Sequence, residues 1–160
     1  MTYRALPAWD DYFMNIAWVV SRRATCLCRP VGALIVLDQR IISTGYTEAP
    51  FGAKNCNEGG CVACASGAFC QQGYQFCICL HAEQNAISLA ARYGVMANYA
   101  TLYTTLRPCL DCIKIAIQAG IRQIVFDLSR DFNNQSEEMY QTLLTETSII
   151  VRKHPYTTSL

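Results

Sequence analysis

Two short segments carry residue types that suit metal chemistry: residues 81–83, with the sequence His-Ala-Glu, and residues 108–112, with the sequence Pro-Cys-Leu-Asp-Cys. Both lie where a predicted loop meets a predicted helix. Cys109 and Cys112 are three positions apart, so their sulfurs fall on one helical face. The positive end of the helix dipole favours their thiolate forms. Together with His81 they make three zinc ligands, which leaves a fourth position open for water, as in catalytic zinc sites.

Glu83 has a different expected role, because it lies two residues after His81 and therefore points to another side of the helix. Zinc lowers the pKa of a bound water towards ~7. A neighbouring carboxylate can then accept the proton of that water and pass it to a leaving group. The arrangement matches the H-x-E…P-C-x-x-C pattern of zinc-dependent nucleobase deaminases, in which the glutamate is the acid and base and not a ligand.

Helices and strands alternate along the parts of the chain that must position these residues. Residues 8–24 have helical apolar spacing with acidic residues in the first turn. Residues 31–37 and 40–46 form a predicted hairpin around a tight turn. Further helices are predicted at 81–93, 108–119 and 137–145, and further strands at 100–104, 123–126 and 148–151. Such alternation predicts a layered α/β fold with a partly parallel sheet, and with no visible repeat or linker we expect one domain over residues 1–160.

Residues 47–80 form a glycine- and cysteine-rich loop with little periodicity. A loop of this length without secondary structure is unusual in a compact domain unless an additional interaction holds it in place, and a bound metal ion would do so. The chain has 10 cysteines in 160 residues. Because cytosolic thiols stay reduced, clustered cysteines in a chain without an export signal favour metal binding over disulfides.

Composition and charge indicate which kinds of binding partner to expect. The 13 basic and 12 acidic residues leave a net charge of +1 without a Lys/Arg-rich run, so we expect no nucleic-acid polymer as partner. One or two arginines suffice for a small anionic ligand. Residues 1–10 lack the apolar core of an export signal, and apolar stretches such as 31–37 are too short to cross a bilayer. We therefore expect a cytoplasmic protein with no membrane partner.

A longer series of segments extends the likeness beyond the metal residues. The chain resembles the deoxycytidylate deaminase family of the cytidine-deaminase-like superfamily over roughly residues 8–127. Its histidine before Ala-Glu, in place of cysteine, is unlike the free-nucleoside cytidine deaminases. The resemblance implies a three-layer αβα sandwich around a mixed sheet of about five strands. The segments that carry it are 25–26, 31–33, 40–46, 81–87, 102–105, 108–112 and 119–121.

The resemblance also implies roles and a reaction. His81, Cys109 and Cys112 would hold a catalytic Zn²⁺, Glu83 would shuttle protons, and the backbone around Ala82 would help to hold the pyrimidine carbonyl. The reaction would be hydrolytic deamination of a pyrimidine nucleotide, dCMP to dUMP plus ammonia. Family members are usually homo-oligomers, and many are regulated by deoxynucleoside triphosphates. Guanine, a cytosine nucleoside or tRNA adenosine remains open as an alternative substrate.

Two departures from the family pattern concern substrate contacts. The family usually has Asn-Gly where this chain has Thr47 and Glu48. The asparagine commonly contacts the sugar. The threonine hydroxyl can form hydrogen bonds, but it lacks the paired donor and acceptor groups of a carboxamide. A tyrosine common in the family is absent after Phe126, where Arg130 would instead meet a phosphate. Thr47 and Arg130 are therefore candidate substrate contacts, beside Ala82.

The cysteines outside the catalytic pair suggest a second metal ion. Cys26 and Cys56 match family positions that often hold a structural zinc, and a closed site needs four ligands. We predict Cys61 and Cys70 as the partners, with two close rivals, Cys77 and Cys79. The thiols suffice for two ions, and the sequence leaves their number open.

Other interpretations of these residues remain to be compared with the structure. Cys109 and Cys112 resemble a thioredoxin-like redox pair, although that leaves His81 and Glu83 without a role. A zinc ribbon that joins residues 61–64 to residues 109–112 would need far fewer residues between the two cysteine pairs than this sequence has. Arg92, near the end of the helix after His81, is either a solvated helix-end cation or a subunit or phosphate contact.

Overall fold

A computed structural model describes residues 5–65, 77–130 and 132–156 of the chain. A five-stranded sheet in the order β2-β1-β3-β4-β5 forms its centre. The strands are β1 (Gly32–Leu37), β2 (Arg40–Tyr46), β3 (Thr101–Leu106), β4 (Gln123–Leu128) and β5 (Ile150–Lys153). β1 is antiparallel to β2 and β3, whereas β3, β4 and β5 run parallel. The predicted mixed sheet of about five strands is confirmed.

Helices cover both faces of this sheet. They are α1 (Trp9–Ser21), the short α2 (Val62–Ala65), α3 (Ala82–Arg92), α4 (Leu110–Gln118) and α5 (Asn134–Thr147), with a 3₁₀ turn at Cys56–Glu58. α1 packs on β1 and β3, and α3 packs on β1 and β2. α4 contacts both α3 and α5. The predicted three-layer αβα sandwich is therefore confirmed.

Two apolar cores lie on opposite faces of the sheet, as the alternation of strand side chains requires. Ala33 and Ile35 of β1 belong to the core under α3, α4 and α5. Leu34 and Val36 belong to the core under α1. Because β1 is buried on both faces, it appears in the sequence as a continuous apolar run.

Close backbone contacts at two glycines let helices approach the hairpin. A Cβ on Gly32 would lie 2.2 Å from the Ala17 carbonyl oxygen of α1. A Cβ on Gly45 would lie 2.2 Å from the Ala82 carbonyl oxygen of α3. Glycine at these positions brings the backbone of each helix directly onto the sheet.

The element boundaries differ from the predicted ones by a few residues. α5 begins at Asn134 because the side chain of Asn133 accepts a hydrogen bond from the Ser136 N–H at 2.8 Å, an N-cap that the apolar pattern does not reveal. β5 starts two residues later than predicted, after Ser148 ends α5 in a left-handed conformation. Within the described residues, no helix combines the length and apolar composition needed to cross a membrane.

Candidate active site and metal centres

The histidine and the glutamate of the first motif lie at the beginning of α3. His81 is the N-cap of this helix, and its backbone N–H donates to the Gln84 side chain at 3.2 Å. The preceding Leu80 donates its N–H to the Glu48 carbonyl oxygen at 2.8 Å. A second anchor is Ser43 of β2, whose hydroxyl donates to the Ala86 carbonyl oxygen at 2.7 Å. The N-terminus of α3 is thus fixed against the hairpin.

The cysteine pair lies at the beginning of α4, directly opposite. Cys109 is the N-cap of α4, and Cys112 lies in its first turn. His81 Nδ1 lies 3.3 Å from the Cys109 sulfur and 3.2 Å from the Cys112 sulfur. The two sulfurs are 3.5 Å apart. Three such ligand atoms around one point suit the Zn–N and Zn–S distances of ~2.0–2.3 Å, so the predicted zinc ligands converge.

Glu83 lies beside this group and outside it. One carboxylate oxygen accepts a hydrogen bond from the Thr104 hydroxyl of β3 at 3.2 Å, and the other lies 3.6 Å from the Cys112 sulfur. The residue is only 4% exposed. The candidate metal group contains His81 and the two cysteines but not Glu83. The carboxylate therefore lies next to the candidate metal group and is not one of its members.

The pKa values of the side chains in this site are shifted by burial and by contacts between the side chains themselves. The hydrogen bond with Cys112 and the contact with His81 lower the pKa of Cys109 to about 4. The same bond to Cys109, with burial, raises the pKa of Cys112. Burial lowers the pKa of His81, but the Cys109 thiolate outweighs it and raises that pKa. Burial raises the pKa of Glu83, so this carboxyl group is a stronger base than an exposed one.

The metal group opens into a small pocket with a volume of about 10 Å³, which is room for about one water molecule. Each predicted substrate contact, Thr47, Ala82 and Arg130, lines this pocket. The Thr47 hydroxyl is already engaged, because it accepts from the Val31 N–H at 3.2 Å. This engagement favours a structural role for the hydroxyl, which joins the start of β1 to the end of β2.

A larger cavity of about 520 Å³ adjoins the pocket. The two spaces share Val31, Leu106 and Arg130, and the larger one is also lined by Arg29 and Trp18. Its volume lies in the range of small-molecule sites. Two arginines on its wall give it the positive character expected of a site for a small anion.

Sequence reasoning missed Thr104 and Arg107. Arg107 lines the pocket and makes a bidentate ion pair with Glu137 of α5, with both N···O distances at 3.0 Å. Its guanidinium also lies over the rings of Phe132 and Tyr140, at 4.7 and 4.4 Å from their centroids. Because Arg107 lies directly before residues 108–112, the sequence could have indicated that it lies near the site. The Thr104 contact depends on strand register, which the sequence does not show.

A second cavity of about 280 Å³ contains Glu48 and Arg92. The Glu48 carboxylate accepts from the Asn85 side chain at 2.8 Å, so this charge belongs to the second cavity and does not line the catalytic pocket. The Arg92 guanidinium lies 4.7 Å from the centroid of the Phe51 ring. Neither interpretation of Arg92 is tested by this contact.

Seven cysteine side chains pack together away from this site, and Cys28 among them is disulfide-bonded. The other six are free thiols, and we call them the thiol cluster. Its members Cys26, Cys56, Cys64 and Cys77 have sulfurs within 4.8 Å of one another and could hold a metal ion. Cys61 lies 3.9 Å from Cys77, and Cys79 lies 3.1 Å from Cys56. Of the predicted structural set, Cys26 and Cys56 are in the group of four, Cys61 adjoins it, and Cys70 lies outside the described residues.

The thiol cluster also decides between earlier interpretations of the cysteines. A zinc ribbon is wrong, because Cys64 groups with Cys26 and Cys56 while Cys109 and Cys112 group with His81. Cys109 and Cys112 are free thiols beside a histidine, and His81 and Glu83 acquire roles that a redox pair would not need.

An αβα sandwich that places a His-Cys-Cys group beside a buried glutamate defines the zinc-dependent cytidine-deaminase-like class of protein. A family model described as the cytidine and deoxycytidylate deaminase zinc-binding region matches residues 7–128. The chain belongs to this family.

Similar proteins include several deoxycytidylate deaminases. Those of Schizosaccharomyces pombe and Saccharomyces cerevisiae are 41% and 38% identical over 86% and 94% of this chain. The chain spans less than half of either relative, 42% and 46% of their lengths. The deoxycytidylate deaminase of Mycobacterium phage D29 is 37% identical over 75% of this chain and 94% of its own.

A solved structure with the same fold contains nucleotides. It is the dCMP deaminase of the cyanophage S-TIM5 in complex with dCMP and dUMP. The TM-score is 0.71 at 25% sequence identity, and the match covers 94% of this chain and all of the other.

Proposed function

We propose that this chain catalyses the zinc-dependent hydrolytic deamination of a pyrimidine nucleotide, converting dCMP to dUMP and ammonia. The observation that carries the proposal is the Glu83 carboxylate, buried beside the metal group and outside it. Similarity to deoxycytidylate deaminases, and to a deaminase structure that contains dCMP and dUMP, supports this substrate.

The donor set fits zinc, because one imidazole nitrogen and two thiolates match its preferred ligands. A zinc ion held there supplies Lewis acidity towards water. Glu83 accepts a proton from the attacking water and delivers it to ring N3 as the oxygen bonds to C4 of the cytosine ring. The same carboxyl group then carries the second proton of that oxygen to the amino nitrogen as the C4–N bond breaks, so that ammonia leaves and the C4=O, N3–H form of uracil remains. Thr104 holds one oxygen of Glu83 and leaves the other facing the metal group.

The shape of the site favours a nucleotide over a free base. The small pocket beside Glu83 has room for the attacking water, so the base would lie at its mouth. The adjoining cavity would take the sugar and the phosphate, and Arg29 and Arg130 line it. A guanidinium matches phosphate oxygens in charge and geometry. This arrangement favours a nucleoside monophosphate.

Ammonia release from a panel of substrates tests the proposal. The zinc-loaded chain is incubated with dCMP, CMP, dCTP, cytidine, guanine and adenosine, and dCMP is expected to react fastest. Activity on guanine alone would keep the enzyme class and refute the substrate. No ammonia from any compound would overturn the deaminase proposal. Solved tRNA-adenosine and guanine deaminases share the fold at 24% and 18% identity, which shows the fold alone.

Arg130 gives a sharper version of the same test. Arg130→Ala should raise KM for dCMP about tenfold or more and leave the slower turnover of deoxycytidine unchanged, because only dCMP has a phosphate. Arg40→Ala, on the exposed start of β2, is the matched control. An equal loss on both substrates would show that Arg130 does not recognise the phosphate.

We also propose that the protein is a cytoplasmic homo-oligomer with a small-molecule nucleotide, and no nucleic-acid polymer, as its partner. Large apolar side chains are exposed near the end of α3, with Tyr93 at 74%, Met96 at 68% and Tyr99 at 65%. Such a patch is typical of association surfaces. Light scattering after size-exclusion chromatography should give a mass above that of one chain, and a monomer at micromolar concentration would contradict the proposal.

A further inference from the structure

Arg107 lies at the wall of the catalytic pocket but has no part in the proposed proton transfers. It lines this pocket together with Glu83 and Arg130. Its side chain is only 17% exposed, and it forms a bidentate ion pair with Glu137 of α5. A buried cation beside a site for an anionic nucleotide contributes to the electrostatic field that the nucleotide meets. The partner of Arg107 therefore bears on which nucleotide binds.

The carboxylate of Glu137 is held in place for this contact. Its Oε2 accepts from Arg107 Nη1 and its Oε1 accepts from Arg107 Nη2, both at 3.0 Å. Gln141, one turn further along α5, donates to Oε1 at 2.7 Å. These hydrogen bonds lower the pKa of Glu137, so its carboxylate is ionised at neutral pH. A guanidinium and a carboxylate fixed in this geometry carry no net charge as a pair.

Arg107 also lies close to the cavity that would take the sugar and the phosphate. Its guanidinium carbon is 4.7 Å from the centroid of the Phe132 ring, and the guanidinium carbon of Arg130 is 5.9 Å from the same centroid. Arg130 lines both the catalytic pocket and the larger cavity. Unit charges roughly 10 Å apart still interact appreciably at an effective dielectric constant of ~20. An unpaired charge at Arg107 would therefore act on phosphate groups near Arg130.

Aromatic and backbone contacts keep Arg107 in the pair. The rings of Phe132 and Tyr140 stack on each other with their centroids 5.5 Å apart, and the guanidinium lies 4.4 Å from the Tyr140 centroid. The backbone N–H of Arg107 donates to the Leu128 carbonyl oxygen at 2.8 Å. To turn towards the larger cavity, the guanidinium would have to leave both the carboxylate and the rings.

We propose that Glu137 is a specificity-determining residue, which neutralises the charge of Arg107 and thereby makes the site select a nucleoside monophosphate over a di- or triphosphate. This inference rests on the proposed deamination of a nucleotide and assigns the residue that limits the charge of its substrate. Each further phosphate group adds negative charge, and the paired Arg107 supplies no net positive charge to match it. Desolvation of the unmatched charge disfavours the longer nucleotides.

Ammonia release from dCMP, dCDP and dCTP tests the inference. The ratio of kcat/KM for dCTP to kcat/KM for dCMP is measured on one preparation, so that the folded fraction cancels. Glu137→Gln should raise this ratio on the order of tenfold, mainly through KM, with dCDP intermediate. Glu138→Gln makes the same charge change at the next, exposed residue of α5 and should leave the ratio unchanged. An unchanged ratio in Glu137→Gln would overturn the inference and leave the proposed function intact.

A double variant separates the charge of Arg107 from other effects of changing α5. Arg107→Gln/Glu137→Gln removes both charges and should return the ratio to that of the unaltered chain. A double variant that keeps the raised ratio would also overturn the inference, because the effect would not act through Arg107.

Binding measurements cover the case in which the unaltered chain releases no ammonia and the proposed function fails. Titration calorimetry of the zinc-loaded chain with dUMP and dUTP then gives the ratio of their dissociation constants. Glu137→Gln should strengthen the binding of dUTP relative to dUMP on the order of tenfold. An equal change for both nucleotides, or no change, would overturn the inference.

Discussion

Glu83 is surrounded by groups that control its proton. Burial favours its neutral form, whereas the hydrogen bond donated by Thr104 favours the ionised form. A group that must accept a proton and later release it works best when its pKa is near the working pH. Burial moves the pKa of Glu83 in that direction, and the Thr104 hydrogen bond limits this shift.

Replacing Glu83 with Gln should abolish turnover without loss of the catalytic zinc, because the residue lies outside the ligand group. General acid and base catalysis is worth ~10²–10⁴ in rate, so kcat should fall by at least that factor. Metal analysis and ammonia release measure the two effects together. Loss of a metal ion from Glu83→Gln would show that the glutamate is a ligand.

Thr104→Val should move the acid limb of the pH–rate profile to higher pH. The hydroxyl of Thr104 lowers the pKa of Glu83, so its removal lets burial raise that pKa further. The base is then protonated at a higher pH. Thr105→Val is the matched control on the same strand, because the Thr105 hydroxyl accepts from the Gly32 N–H at 3.2 Å and does not touch Glu83. Equal acid limbs in both variants would contradict the assignment.

At the scale of elements, the metal group depends on two helix N-termini that face each other across the end of β3. α3 contributes His81 and Glu83, and α4 contributes Cys109 and Cys112. The position of α3 is set by β2, because Gly45 lets the Ala82 carbonyl approach the strand. A shift of α3 would therefore change the distance between the imidazole and the sulfurs.

Gly45→Ala should lower both stability and the activity of the folded fraction. Its Cβ would lie 2.2 Å from the Ala82 carbonyl oxygen, so α3 must move, and overpacking of this kind costs about 1–3 kcal/mol. Gly32→Ala forces a similar clash with α1, which bears no ligand. Urea denaturation should show comparable losses of stability, while only Gly45→Ala lowers kcat per folded molecule. Equal kcat values in the two variants would disprove the role of α3.

Two buried tyrosines lie on opposite faces of the sheet. Loss of the hydroxyl should change the free energy of unfolding in opposite directions at these two positions. Among the described residues, the buried Tyr140 hydroxyl of α5 has no hydrogen-bond partner, so Tyr140→Phe should raise the free energy of unfolding by about 1 kcal/mol. The Tyr103 hydroxyl donates to Asp10 of α1 at 2.8 Å, so Tyr103→Phe should lower it by about 1–2 kcal/mol. Denaturant titration measures both. A destabilised Tyr140→Phe variant would reveal a partner for that hydroxyl in solution.

At the scale of the whole molecule, the catalytic group, the thiol cluster and the second cavity are joined by one short segment. Cys79 belongs to the cluster, Leu80 pairs with Glu48 at the second cavity, and His81 belongs to the candidate metal group. A metal in the cluster would restrain the backbone next to His81. Metal binding of this kind contributes directly to folding free energy, because the unfolded chain has no preformed site.

Regulation by deoxynucleoside triphosphates is expected to be weak. Glu48 replaces a glycine that is usual in the family and lines the second cavity, so its negative charge would repel a triphosphate bound nearby. We therefore expect little activation by dCTP and little inhibition by dTTP in initial-rate measurements. Glu48→Gln keeps an acceptor for Asn85 and removes the charge, so it should strengthen any dCTP response. Strong sigmoidal kinetics relieved by dCTP in the unaltered chain would contradict this expectation.

The sequence alone was sufficient for the local features. The types and spacing of His81, Cys109 and Cys112 indicated zinc ligands, because the chemistry of a ligand is a property of its side chain. Alternating helices and strands indicated a layered α/β fold, because strand and helix periods are set by the backbone, and the family resemblance implied its three-layer αβα form. Helix ends were less certain, and the cap at Asn133 shows why: a single side-chain hydrogen bond moved the start of α5.

Only the tertiary structure decided which distant groups meet. Thr104 reaches Glu83 through strand register, Arg107 reaches α5 through packing, and Glu48 lies at a different cavity from Arg130. The structural set predicted for the cysteines was likewise incomplete, because Cys64 and Cys77 join Cys26 through loop closure. Spacing along the chain constrains near neighbours through helix and strand geometry. Contacts between remote residues depend on how whole elements pack, and that is a property of the folded molecule.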